Sequence, residues 1–70
     1  MAQSIQVIAN GERYDIPAGC SLSKFVEERG LALGRVVVER NGQPLTPSEA
    51  RHTNLEAGDR LEIVRIVAGG

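Results

Sequence analysis

The residues best suited to chemistry stand at the carboxyl end, which reads Arg65-Ile66-Val67-Ala68-Gly69-Gly70. Glycine has no Cβ, so a Gly69-Gly70 backbone can enter a channel too narrow for other residues. A terminal α-carboxylate is anionic at neutral pH and becomes an acyl donor only after activation, for example by adenylation. The pattern indicates a substrate handle for another protein's active site, although glycine-rich chain ends are also often merely disordered.

Three other positions could carry chemistry, but none has the companions that it would need. His52 has no histidine, cysteine or carboxylate at metal-ligand spacing, and we expect a loop residue. Cys20 precedes a predicted helix, where thiols can become reactive, but a packed small residue is the favoured interpretation. Gly58-Asp59 lacks further carboxylates and is typical of a turn. The sequence therefore predicts no catalytic residues and no metal site inside the domain.

Length and composition favour a carrier or binding module over an enzyme with its own cavity. The chain has 70 residues, and a chain of about 60 residues buries only about 60% of its unfolded surface. Its 41% hydrophobic content and net charge of −1 are those of an ordinary globular domain, with basic residues spread along the sequence. Tyr14 and Phe25 are the only aromatic residues, too few for a base-stacking surface. We expect no nucleic-acid partner.

The sequence also favours a cytoplasmic location without a membrane partner. No apolar run approaches the roughly 20 residues that span a bilayer. Residues 1–4 have neither the basic nor the apolar segment of a signal peptide. Cys20 is the only cysteine, so an intramolecular disulfide is excluded, and its redox role is left open.

The first half of the chain predicts a β-hairpin followed by a short helix. Residues 4–10 and 12–16 alternate in hydrophobicity, and Asn10-Gly11 between them is typical of a two-residue hairpin turn. Ser21 is a suitable helix N-cap, and Gly30 a suitable left-handed residue after the helix. The apolar side chains of this helix recur at helical spacing, at Leu22, Phe25 and Val26, with the aliphatic stem of Arg29 continuing the stripe.

The second half predicts three more strands and a helical turn. Residues 36–40 form the strongest strand by propensity, Asn41-Gly42 turns it, and residues 43–45 give a short edge piece. Residues 46–51 begin with a capping box that has proline at the first helical position. The last strand is expected from Arg60 to about Val67.

This order of elements predicts an α+β fold of the β-grasp, or ubiquitin-like, type. The first and last strands can pair in parallel through the long crossover between them. We expect one domain over residues 1–70, with a mixed sheet of four to five strands, one main helix packed on one face and a flexible tail at 67–70. The predicted core consists of Val7, Phe25, Val26, Val38, Leu61 and Ile63.

Three segments together resemble a known family. They are residues 36–42 with their Asn-Gly turn, Leu55 followed by Gly58-Asp59 and residues 60–64, and the terminal Gly69-Gly70. In order, spacing and chain length they resemble the sulfur carrier proteins of bacterial thiamine biosynthesis. The resemblance covers almost the whole chain.

The resemblance implies a protein substrate and not an enzyme. An E1-like, ThiF-type adenylyltransferase would use ATP to adenylate Gly70, and a sulfur donor such as a cysteine desulfurase system would supply sulfur for a thiocarboxylate. A ThiG-type thiazole synthase would then receive that sulfur. By position, Gly70 carries the acyl group, while Gly69 and Ala68 form the slender approach. The carrier itself would bind no cofactor.

Three alternatives stay open at this level. Residues 67–70 also resemble the tail of the molybdopterin synthase small subunit, although that subunit is usually longer and more aromatic near its end. A protein modifier would use the same Gly70 for conjugation to lysines, and a plain interaction module would not use its free end. For any partner enzyme, Val64 and Ile66 are the predicted docking residues, because their parity is opposite to that of Leu61 and Ile63.

Overall fold

The computed structural model describes residues 3–67, which form a mixed sheet with helices packed on one face. A hairpin of β1 (Ser4–Ala9) and β2 (Glu12–Pro17) is followed by α1 (Leu22–Glu28), a 3₁₀ turn (Leu33–Arg35), β3 (Val36–Arg40), β4 (Gln43–Pro44), α2 (Pro47–Arg51) and β5 (Arg60–Arg65). The strand order is β2-β1-β5-β3-β4. This confirms the predicted sheet and its main helix. The proposed tail residues Ala68, Gly69 and Gly70 lie outside the described residues.

Strand β5 lies at the centre of the sheet and joins its two halves. It pairs in parallel with β1 over only two residue pairs, Ile8 with Arg60 and Ala9 with Leu61. It pairs antiparallel with β3 along the whole of that strand, from Val36 opposite Arg65 to Arg40 opposite Leu61. The predicted parallel contact between the first and last strands is therefore present but short.

Both predicted Asn-Gly turns form, and each supplies a side chain that holds β5. The φ angles are +50° at Asn10 and +83° at Gly11, and +53° at Asn41 and +84° at Gly42, as two-residue hairpin turns of the primed type require. Asn10 Oδ1 accepts a hydrogen bond from Ile63 N at 2.8 Å. Asn41 Oδ1 accepts one from the N of Arg60, the first residue of β5, at 2.9 Å.

Helix α1 is short and owes its stability to packing. The Ser21 hydroxyl accepts a hydrogen bond from Lys24 N at 3.0 Å, which confirms the predicted cap. Its fully buried side chains are Leu22, Phe25 and Val26. A seven-residue helix would not persist alone in water. Burial of this face against the sheet therefore stabilises it.

Arg29 packs through its guanidinium group as well as through its aliphatic stem, whereas the sequence indicated only the stem. Its guanidinium carbon lies 4.0 Å from the centroid of the Phe25 ring and 4.4 Å from that of Tyr14. The two rings meet edge to face, with centroids 5.4 Å apart. The cation therefore covers an aromatic pair that bridges the helix and β2.

Helix α2 forms as its capping box predicts. Glu49 N donates to the Thr46 hydroxyl at 3.1 Å, and Thr46 N donates to the Glu49 carboxylate at 2.8 Å, with Pro47 at the first helical position. Neither α1 nor α2 is long enough to cross a membrane, and this holds for every helix within residues 3–67.

The core matches the prediction at five of six positions, and Ile63 is the exception. The five buried residues are Val7, Phe25, Val26, Val38 and Leu61. Ile63 is only partly buried and packs at the margin of the core. The pairing of β1 with β5 ends at Leu61, so no backbone of β1 runs beside Ile63. Ile16, Leu22 and Leu55 instead complete the core.

Strand β5 also ends earlier than predicted, at Arg65 instead of about Val67. The reason is that its partner β3 begins at Val36, which is opposite Arg65. One further backbone hydrogen bond follows, from Ile66 N to Arg35 O at 2.9 Å. Val67 has no strand to pair with and is 84% exposed.

Candidate functional site at the end of β5

The end of β5 determines where the carboxyl-terminal residues leave the body of the protein. The last backbone contact of the described chain is the one between Ile66 and Arg35, at the start of β3. Gly70, Gly69 and Ala68 are outside the described residues, so their predicted roles stay predictions. The structure does describe the surface around the end of β5, which includes an exposed sheet face and a groove on the helical side.

Val64 lies on the sheet face away from the helices, as its parity predicts. It is 60% exposed and stands directly opposite Val37 of β3, which is 48% exposed. Their strand neighbours Val36, Val38 and Ile63 turn toward the helices. The two valines form an exposed apolar pair on this face, immediately before the end of β5. We call this pair the valine pair.

Ile66 is the second predicted docking residue, and its docking role stays a prediction. It follows the last residue of β5, so strand parity no longer determines its direction. It lines a groove of about 410 Å³ on the helical side, together with Leu33, Val36, Val38, Leu45 and Ala50. Ile66 is 57% exposed, and Val37 of the valine pair lines the same groove, so the groove and the valine pair adjoin at Val37.

Two carboxylates stand next to the valine pair. Glu39 of β3 lies directly opposite Glu62 of β5, on the same face as Val37 and Val64. Both glutamates are exposed, and none of the salt bridges within residues 3–67 includes either of them. Like charges directly opposite one another across two strands are destabilising. The open face therefore combines apolar surface with an uncompensated pair of negative charges.

Asp59 forms a buried ion pair that fixes the start of β5. Its carboxylate is 2.8 Å from the Arg40 Nη2 atom and accepts hydrogen bonds from Glu56 N at 2.8 Å and from Asn41 Nδ2 at 3.1 Å. Burial alone would raise the pKa of Asp59, but the hydrogen bonds from Glu56, Arg40 and Asn41 and the charge of Arg40 together lower it. The predicted turn at Gly58-Asp59 is present.

Sequence reasoning missed the ion pair within this turn. The available signal was an arginine at the end of one predicted strand and an aspartate just before another. The topology that brings Arg40 beside Asp59 was needed to interpret it.

The remaining candidates have structural contacts. Cys20 is buried, and its thiol donates to Ser21 O at 3.4 Å, which agrees with a packed small residue. His52 is exposed at the end of α2, where its Nδ1 atom lies 2.8 Å from Ser48 O. Across residues 3–67, no three His, Cys, Asp or Glu side chains converge in a way that could hold a metal ion.

Solved structures with the same architecture define the class of fold. A thiamine biosynthesis protein (ThiS) from Geobacter metallireducens superposes with a TM-score of 0.76, at 22% identity over 94% of this chain and 100% of that one. A computationally designed protein based on human erythrocytic ubiquitin gives 0.54, at 20% identity over 100% and 98% of the two chains. The fold is therefore a ubiquitin-like β-grasp, as predicted.

The sequence itself identifies the family within this class. The model of the ThiS family matches residues 3–70, so the chain belongs to the ThiS family. This confirms the resemblance to the sulfur carriers of thiamine biosynthesis. The chain is also 30% identical over 66 residues to a protein named thiazole synthase from Paramagnetospirillum magneticum. The match covers 94% of this chain but only 20% of that relative, so the chain spans about a fifth of its length.

Proposed function

We propose that this protein carries sulfur as a thiocarboxylate on Gly70. An E1-like, ThiF-type enzyme would bring the Gly70 carboxylate to the α-phosphorus of ATP, with pyrophosphate leaving. A sulfur nucleophile from a donor such as a cysteine desulfurase system would then displace AMP from the acyl-adenylate. The resulting thiocarboxylate would give its sulfur to a thiazole synthase. The carrier would bind no cofactor, because the activating partner uses the ATP.

The observation that carries this proposal is the extent of the family match. It runs to residue 70 and so includes the two terminal glycines as well as the folded body. The match therefore extends past β5, which ends at Arg65, and over the tail that the proposal requires. The slender backbone of two glycines suits entry into a narrow active site.

The geometry of the body is consistent with this use. β5 pairs with β3 up to Arg65, and the side chains of Asn41 and Asn10 bind its backbone at Arg60 and Ile63. The position of its end is therefore fixed. Val67, the last described residue, is 84% exposed and is therefore accessible to an enzyme. A fixed exit point matters because a reacting carboxylate must be positioned closely for attack.

The longer relative supports thiazole synthase as the partner that receives the sulfur. A protein named thiazole synthase contains a segment similar to this chain. A carrier and a consumer that occur within one polypeptide act at high effective concentration, which suits a direct transfer between them. For this chain we propose the same transfer to a separate or attached thiazole synthase.

The test is the intact mass of the purified chain after incubation with ATP, the activating enzyme and a sulfur donor. Replacement of one oxygen by sulfur adds about 16 Da, and a variant lacking Gly70 should show no gain. A ladder of larger conjugates would instead support the protein modifier. An unchanged mass in the complete reaction would contradict the sulfur carrier function.

A further inference from the structure

We propose that Asn10-Gly11 is a site of spontaneous deamidation, and that conversion of Asn10 weakens the attachment of the second half of β5 to β1. The proposal concerns the folded body and is independent of the chemistry at Gly70. The contact between β1 and β5 is short, and the Asn10 side chain extends it.

The Asn10 side chain continues the parallel ladder after the β1 backbone has turned away. Asn10 N donates to Leu61 O at 2.9 Å, the last backbone bond between the two segments. Two residues further along β5, the Asn10 amide binds both backbone groups of Ile63. Its Oδ1 accepts from Ile63 N at 2.8 Å, and its Nδ2 donates to Ile63 O at 3.1 Å. The side-chain amide thus takes the place of a peptide group of a longer β1.

The neighbouring glycine makes the same amide chemically vulnerable. The backbone nitrogen of Gly11 can attack Asn10 Cγ, with ammonia leaving, to give a five-membered succinimide. Water then opens the ring to aspartate or isoaspartate, so water is the only co-reactant. Gly11 has no Cβ to hinder ring closure, and Asn10 is exposed to solvent.

Conversion to aspartate would replace one of the two hydrogen bonds, the one from Asn10 Nδ2 to Ile63 O, with a repulsive contact. Aspartate places an oxygen where Nδ2 stood, so two acceptors would face one another across the 3.1 Å contact with Ile63 O. Isoaspartate adds an atom to the backbone of the turn and displaces the side chain altogether. The aspartate product keeps only the bond from Ile63 N, and the isoaspartate product loses both, so the attachment of the second half of β5 to β1 is weakened in either case because no backbone pair replaces it.

The two hydrogen bonds between the Asn10 side chain and Ile63, which we call the clamp, also slow the reaction in the folded protein. Both hydrogen bonds to Ile63 must break before Cγ can approach the Gly11 nitrogen. Two hydrogen bonds of ordinary net strength correspond to a slowing of roughly 10- to 100-fold relative to the unfolded chain. Asn41-Gly42 provides an internal comparison, because it has the same turn geometry and its side chain also makes two hydrogen bonds, one from Arg60 N of β5 and one to the carboxylate of Asp59 just before it.

The sequence allows all three asparagines to be followed separately. Trypsin cleaves after arginine and lysine, which places Asn10, Asn41 and Asn54 on peptides 1–13, 41–51 and 52–60. Asn54 is followed by Leu55, whose side chain hinders ring closure, so peptide 52–60 is the control. The protein is incubated at mildly alkaline pH, once folded and once in urea, and digested after increasing times.

The expected result is a gain of about 1 Da in peptide 1–13 of the folded protein, slower than in urea but faster than in peptide 52–60. The variant Asn10→Asp, which reproduces one product, should melt about 4–8 °C below the wild type. The matched control Asn54→Asp should melt like the wild type, because Asn54 is exposed and its side chain makes no hydrogen bond within residues 3–67.

Two results would overturn the proposal. One is an unchanged peptide 1–13 in the folded protein after the unfolded chain has converted fully, which would mean that the clamp abolishes the reaction. The other is an Asn10→Asp variant that melts like the wild type, which would mean that the amide does not hold β5.

Discussion

Val37 of β3 lies directly opposite Val64 of β5, and both side chains remain about half exposed on the sheet face away from the helices. In this position the valine pair contributes little to the core, which lies on the other face. It is next to the end of the strand that leads to the proposed acyl group. Because exposed apolar surface often marks an interaction site, we propose the valine pair as the contact site for the enzyme that would activate Gly70.

Val64→Asp should therefore weaken binding of the activating enzyme while the fold remains intact. The change places a charge within the proposed contact but removes little buried surface. Affinity is measured by calorimetry, together with a thermal melt. Ala18→Asp, an exposed turn position after β2, is the control for added charge. Equal affinity for the two variants would show that the enzyme docks elsewhere, and Ile66→Asp would then test the groove on the helical side.

Glu62→Gln should stabilise the isolated protein. It removes one of two like charges that face each other across β3 and β5, a contact whose relief is worth roughly 0.2–1 kcal/mol. Glu39→Gln should have a similar effect, and the double variant should gain less than the sum of the two. Urea unfolding at low and high salt measures this. Fully additive gains, or gains that persist unchanged at high salt, would contradict a direct repulsion between the two side chains.

Asp59 predicts how stability depends on pH. Because its pKa is lower in the folded protein than in the unfolded chain, its contribution is present above the unfolded value of 3.8 and is lost as the pH falls through the folded value. Asp59→Asn should remove this part of the acid dependence. Arg40→Gln should destabilise the protein by roughly 1–3 kcal/mol at neutral pH, because it leaves a buried carboxylate without its cation. An Asp59→Asn protein whose unfolding free energy falls as steeply as that of the wild type, while the pH falls through the folded value, would contradict this role.

Phe25→Ala should cost about 3–5 kcal/mol of unfolding free energy, a large part of the stability of a small domain. Phe25 is fully buried and also supports the edge-to-face contact with Tyr14 and the cation of Arg29. Val64→Ala, at an exposed position, should change stability by far less. Chemical denaturation of both variants provides the comparison. A Phe25→Ala protein as stable as Val64→Ala would show that the helix face is wrongly assigned.

Much of the fold could be predicted because its signals are local. The Asn-Gly turns require positive φ, the Ser21 and Thr46 caps begin helices, and alternation assigns each strand residue to a face. These signals act over a few residues and do not depend on tertiary partners. The predicted hairpin, both helices and the outline of the sheet were confirmed for that reason.

The errors and omissions arose where tertiary context determines the outcome. The length of β5 depends on where β3 begins, which ends the strand at Arg65 and leaves Ile66 beyond it, at the groove on the helical side. Ile63 is less buried than Leu61 because the β1 backbone turns away at Asn10. The contact between Arg40 and Asp59 joins residues 19 positions apart and becomes visible only in the folded chain. For the glycine tail the sequence alone provides the evidence, because the described residues end at Val67.

The most direct test of the central claim is ATP–pyrophosphate exchange by the activating enzyme with wild-type protein and with a variant lacking Gly70. Deletion moves the terminal carboxylate by one extended residue, about 3.3–3.6 Å, which is too far for attack on the α-phosphate. We expect exchange to be lost and the melting temperature to stay unchanged, because the described core lies between Val7 and Leu61. Full exchange activity in the deleted variant would contradict activation at the carboxyl end.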